Sequence, residues 1–431
     1  MKKLIGIILS LVILFSTISS VHLNSRAENN KYGSSSSKFD FQDEWKNKKT
    51  YPVLPQDEDW SALSYIELLE ACNMPDELVD QCSTDKLADL VLDYPFLIDT
   101  LCFETAQQGI DYLKTHSNIC EECFSRDDSI NILLQKYEDL EVNYEMLKDK
   151  SVKDKSKNPW KDSQYIKELF FQMYFAVKAD TLDEKQKLKL KNTIGKNHDM
   201  KKGKCDDYST ALLIYDNIQK LHGEVSRDLI PDNIYNDSVN KNNNNGNLSY
   251  FTKTSNYIYT MSHGSKVYKG TYTKYGESVG CYKYYSGDYT SEEKSDFEHD
   301  LATAHPTWVI HYSTATKKYN CHSYAWITNS SSNIYWINNP SLYASSSSFS
   351  YIGNNCSSAL NGDKIVINAS YYFKDGFGYY TTALHSANVI TSGSNKYNTI
   401  TKSKMGSGPL VTSPLADQIS FYNGVSYTIY R

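Results

Sequence analysis

Apolar residues recur at helical spacing from Trp60 onward: Leu63, Ile66 and Leu69, then Leu87, Leu90 and Val91, then Phe96 and Leu97 after Pro95. Steps of three and four put such residues on one face of a helix, so the stretch predicts amphipathic helices packed on each other. Asn73-Met74-Pro75 and Ser83-Thr84-Asp85 read as turn and helix-start punctuation between them. The helical period returns from Ile130 to Leu147 and from Tyr165 to Val177, which together define an all-α block over residues 55–180. No catalytic constellation falls in that block. It is expected to act as a partner-binding, positioning or inhibitory module.

The pattern then weakens. Lys185 to Lys204 is lysine-rich and reads as irregular, a short helical pattern runs from Leu212 to Leu221, and Asn236 to Asn247 is almost wholly polar. A segment with nothing to bury is a linker, so 181–248 is read as a linker region and its asparagine run as the strongest domain boundary. Beyond it the period changes to two. Tyr257 to Thr260 and Val267 to Tyr272 alternate and are separated by glycines, as hairpin strands do. The expectation is an α+β chain in which an N-terminal all-α domain precedes an α+β domain, residues 249–431, built on an antiparallel sheet. Few contacts are expected across the linker.

The first residues carry an address. Lys2 and Lys3 precede the apolar run Leu4 to Phe15, and Ser25-Arg26-Ala27 supplies a small-residue cleavage site, so residues 1–27 read as a secretory signal peptide. Residues 28–54, rich in Asn, Ser and Lys, read as a disordered leader. A secreted or envelope-associated protein with no membrane-spanning segment after cleavage is expected.

Charge and cysteine content narrow the chemistry. The net charge of −6 is uneven: from Ser249 to Arg431 there are fourteen Lys and Arg against ten Asp and Glu, so the acidity lies in the helical half. A mildly basic C-terminal half suits an anionic envelope polymer, and it lacks the concentrated basic stripe that nucleic acid requires. Nine cysteines leave one over if the rest pair, with Cys281 and Cys356 as candidate partners. Cys120 and Cys123 share a helical face and have no second CxxC, which argues against zinc. His299, His305 and His311, at six-residue spacing, fit neither one helix face nor a zinc motif and read as structural.

The sharpest signal is the stretch Tyr319-Asn320-Cys321-His322-Ser323-Tyr324-Ala325-Trp326, answered downstream by Leu384-His385-Ser386-Ala387-Asn388-Val389. A lone cysteine or histidine is ordinarily a packing residue. Here Asn320 can cap a helix that starts with Cys321, where the helix dipole and a nearby imidazolium favour thiolate. His385 is expected at the rim of a strand from Ser386 to Ile390. His322, about 100° round the helix from Cys321, is not expected to be its base.

With Tyr335 to Tyr343, Gly362 to Val366 and Ser403 to Gly406, these blocks resemble the ordered blocks of secreted NlpC-like and CHAP-like cysteine peptidases and amidases. The resemblance covers roughly the last 130 residues. It implies a papain-like fold, Cys321 as nucleophile, His385 as general base, and amide bonds of peptidoglycan as substrate, without metal or organic cofactor. Gly362-Asp363 is the turn that feeds the strand before the histidine. Backbone N–H groups at the start of the Asn320-capped helix are expected to meet the oxyanion. The third, orienting residue is not assigned by the resemblance; Ser403 is the first choice, on a strand paired with that of His385, and Thr401 the next. A second class stays open: a secreted binding or adhesion protein on the same scaffold without activity.

Overall fold

The computed structural model describes residues 41, 44, 45, 50–103, 105–140, 164–201, 231, 282–283, 288–289, 291–327, 332–337, 340–345, 349–372 and 379–431. The signal segment, the Leu212–Leu221 pattern, the asparagine run and the two tyrosine-rich hairpin stretches lie outside them. The chain forms two compact units, Met1–Lys49 and Thr50–Arg431; the first is described only at residues 41, 44 and 45, all helical. Among the described residues no helix is long and apolar enough to cross a membrane.

The second unit is mixed helix and antiparallel sheet, with helices mainly N-terminal and the sheet C-terminal. Its helices begin with α1 (Tyr65–Ala71), α2 (Asp76–Gln81), α3 (Thr84–Leu92), α4 (Ala106–His116), α5 (Asn118–Ser125), α6 (Ser129–Glu138), α7 (Gln164–Lys178) and α8 (Glu184–Lys201). Several starts follow from capping chemistry. Ser64 and Thr105 each form a capping box with Glu67 and Gln108, and Ser83 accepts from the Lys86 amide. The lysine-rich stretch read as irregular is the helix α8. Leu190, Ile194 and Asn197 are buried at steps of four and three, while the lysines lie on the remaining faces. The stripe is too sparse to stand out against so many charges.

The C-terminal elements are β1 (Tyr282–Lys283), α9 (Ser291–Ala304), β2 (Val309–His311), α10 (Cys321–Trp326), β3 (Tyr335–Trp336), α11 (Ser341–Ser345), β4 (Tyr351–Gly353), β5 (Lys364–Tyr372), β6 (Tyr379–Thr391), β7 (Ile400–Lys404), β8 (Leu410–Pro414), α12 (Leu415–Phe421) and β9 (Ser426–Tyr430). Seven strands make one antiparallel sheet in the order β2-β8-β7-β6-β5-β9-β4, and β1 pairs separately with β3. Gly362, at φ +93°, makes the turn into β5, as a residue without Cβ can at low cost.

The sheet is covered on both sides. Val366 packs with Ala325 and Trp326 of α10, whereas its neighbours Ile365 and Ile367 pack with Leu415 of α12. This is the period of two expressed as two cores. Cys356, a candidate partner of Cys281, forms no disulfide; its Sγ lies 3.1 Å from the Tyr427 hydroxyl.

The helical block and the sheet share a core, where few contacts were expected between them. Trp60 Nε1 donates to the Ala304 carbonyl at 3.2 Å, and buried His305 sits 2.7 Å from Asp99 while stacking on Trp308. Asp99 also accepts from the Tyr112 hydroxyl at 2.5 Å. Gly406, at φ +54°, brings the β7–β8 turn so close that a Cβ there would meet the Cys102 carbonyl oxygen at 2.4 Å.

Candidate active site

Cys321 is the first residue of α10, and Asn320 caps that helix as expected, its Oδ1 accepting from the Ser323 amide at 3.1 Å. The same side chain donates Nδ2 to the Ile337 carbonyl at 2.6 Å and accepts from the Ile337 amide at 3.3 Å. Asn320 therefore fastens the helix start to the segment after β3; it is a positioning residue in this geometry. The thiol of Cys321 forms no disulfide and lines a cleft of about 220 Å³ together with Leu384, Tyr422 and residues of α4.

Strand β6 is longer than expected and begins at Tyr379, so His385 lies inside it. Inside a strand the pleat assigns each side chain a face. His385 pairs with Ile367 and faces α12, its ring stacked on Tyr422 at 4.0 Å between centroids. Ser386 pairs with Val366 and faces α10, where its hydroxyl meets His322 Nδ1 at 2.8 Å and accepts from Trp326 Nε1 at 3.0 Å. Neither ring nitrogen of His385 bonds to Cys321; both are buried, and the one side chain placed to interact with the ring as a hydrogen-bond partner is Gln418. Cys321 thus lines the cleft while His385 is buried behind the lining residue Tyr422, and the two are not bonded to each other. Leu384 is an extra residue in β6: Ile367 pairs with His385 while Asn368 pairs with Ala383. Such a bulge sits where a strand re-aims a side chain.

Ser403, the first choice for the orienting residue, is not bonded to the imidazole. Its hydroxyl points to Met405 Sδ at 3.7 Å. The ladder explains this: Lys402 pairs with Asn388, which puts Ser403 beside Ala387, two residues from the histidine. Thr401 donates to the Ser413 carbonyl at 3.3 Å. The group that does stand beside His385 is Gln418 of α12. Its Nε2 donates to Ser413 Oγ at 3.1 Å, and its Oε1 is buried without a partner among the described residues. A buried acceptor set beside a buried imidazole, neither with a closer partner among the described residues, is an uncommon conjunction in a folded core. The sequence signal for Gln418 was a polar residue at a stripe position of a short helix, in step with Leu415 and Tyr422.

Burial holds His385 well below the usual histidine pKa, and neighbouring His322 pushes the same way; His322 itself is held at about 3 by burial. Both rings are neutral at neutral pH. The positive group of the site is Lys404, fully buried, whose Nζ donates to the carbonyls of Thr316 and Gly406 at 3.0 Å each and to that of Gly408. It also sits 5.3 Å from the Tyr319 ring centre. Burial lowers its pKa to about 7, while Cys102, Asp288, Cys321 and Glu298 favour its charged form. Cys321 thus lies within electrostatic reach of this buried lysine.

His305 and His311 serve packing: the first pairs with Asp99, and the second meets Thr412 Oγ1 at 2.9 Å. Among the described residues no three His, Cys, Asp or Glu side chains converge as a metal site. Comparison with known proteins finds no matching family model, no matching curated protein and no matching solved structure.

Proposed function

We propose that the chain is a secreted cysteine hydrolase that cleaves amide bonds, with peptidoglycan as the polymer presenting them. Cys321 is the nucleophile and His385 the base. The observation that carries the reading is a thiol in the first turn of a capped helix, on the wall of a cleft, with an unpaired histidine stacked behind the opposite lining residue Tyr422. A thiol-bearing helix packed on an antiparallel strand that carries a histidine is also the papain-like arrangement, so fold and function go together in this reading.

The imidazole takes the thiol proton and Sγ bonds to the carbonyl carbon. The C–N bond then breaks and the amine leaves with that proton. Water next forms the C–O bond as the C–S bond breaks; one of its protons passes through the imidazole to sulfur and the other is lost from the acid, leaving a carboxylate. For this the imidazole must come within about 3.2 Å of Sγ. A shift of the Leu384 bulge by one residue would carry His385 to the α10 face, since a single-residue slip exchanges the faces of a strand. Gln418 Oε1 is the acceptor placed to hold the ring.

A second reading, a secreted binding or adhesion protein on the same scaffold, is favoured by one observation: His385 and α10 lie on opposite faces of the sheet. Incubation with purified cell-wall sacculi separates the two. The hydrolase releases soluble muropeptides and Cys321→Ala does not; the binder retains sacculi equally with either side chain and releases nothing.

A further inference from the structure

The helical block supplies one wall of the Cys321 cleft. Helix α4 presents Gln108, Asp111 and Thr115 to it, three exposed residues at steps of three and four, and Tyr112 and His116 below them. Opposite stand Tyr422, Asn423 and Val425, from the end of α12 and the turn into β9. Asp111 is the carboxylate-bearing side chain of the lining. Burial keeps His116 neutral by lowering its pKa and holds the Cys102 thiol well above its ordinary value. Among the described residues no lysine or arginine lines the cleft. The buried cation nearby, Lys404, is committed to three backbone carbonyls. Asp111 Oδ1 accepts from Gln107 Nε2 at 2.9 Å, and its other oxygen has no partner among the described residues.

We infer that this cleft selects amide substrates bearing a free primary ammonium group, and that Asp111 is the residue that reads it. The inference rests on Cys321 being the nucleophile of the cleft. The sheet then carries the reacting groups, and α4 of the helical block carries the selectivity. A carboxylate on the cleft wall attracts a cation and repels an anion.

The test uses the full chain and three alkylating reagents of different charge: 2-bromoethylamine as the cation, iodoacetamide as the neutral probe and iodoacetate as the anion. Each forms one S–C bond and releases halide. Adducts at Cys321 are counted by peptide mass mapping, which separates them from the other cysteines, and rates are normalised to glutathione. The expected result is a cation-to-anion rate ratio that falls about fivefold in Asp111→Asn, the size of one modest charge interaction, and further in Asp111→Lys, with the iodoacetamide rate unchanged. A ratio indifferent to residue 111 overturns the inference. The ratio is readable whatever the absolute rate. A sluggish Cys321 with a ratio that follows residue 111 defeats the nucleophile and keeps the subsite, and a fast Cys321 with an indifferent ratio does the reverse.

Discussion

Replacing Lys404 by Met removes one buried charge whose thermodynamic signature is specific. Its pKa is about 7 in the fold and near 10.4 in the unfolded chain, so between these values the unfolded chain binds more protons and stability must rise with pH. The full slope is about 1.4 kcal/mol per pH unit; allowing for partial protonation near pH 7, the gain from pH 7 to 9 is about 2 kcal/mol. Other groups act in the opposite sense at the upper end. Burial raises the pKa of Cys72, Cys102, Cys120 and Cys123, so the unfolded chain loses thiol protons first and stability falls as pH climbs past their unfolded value. The difference between wild type and Lys404→Met cancels these shared terms. Urea unfolding at half-unit steps from pH 7 to 9 should show a wild-type stability that gains about 2 kcal/mol on the variant. Removing the ammonium also strands the carbonyls of Thr316, Gly406 and Gly408, which lowers the variant at every pH and leaves the difference in slope intact. Parallel curves for the two proteins would refute the assignment of a lysine that titrates inside the fold.

At the acid end, His322 and His385 have folded pKa values below their unfolded ones, so their contribution is present above about pH 6.5 and is lost toward pH 3; His322→Gln should flatten the acid limb of a thermal-melting profile. Gln418→Leu removes the acceptor beside His385 and should lower turnover on sacculi at least tenfold, whereas Ser403→Ala, which loses only a contact to Met405, should change it less than about twofold. Equal losses in the two variants would count against Gln418 as the orienting group.

Much of the architecture was legible because local chemistry states it. Asn320 before Cys321 announces a capped helix, Gly362-Asp363 announces a turn into β5, and the strand near 399–403 pairs with that of His385. What escaped depends on distance in the chain. The alternation around Ser386 showed a strand but not that it reaches back to Tyr379, and that extension decides which face His385 occupies. Gln418 and Asp111 gain meaning from neighbours brought close only by folding. Lys404 lies within the stretch from Ser403 to Gly406, yet nothing along the sequence distinguishes a lysine threaded among three carbonyls from one in solvent.

The ring of Phe421 stacks on Phe103 at 5.3 Å and touches Tyr112, Trp308 and His305, while the Ser420 carbonyl meets His116. Helices made early in synthesis therefore wait for a segment some 300 residues downstream before their core can close. Such long-range closure makes folding slow and cooperative. Until residue 421 is in place the cleft is unfinished, because α4, which lines it beside Cys321, lacks the packing of Phe421 on Tyr112. The cleft is thus held from both ends of the chain, by α4 near residue 110 and by the segment at residue 421.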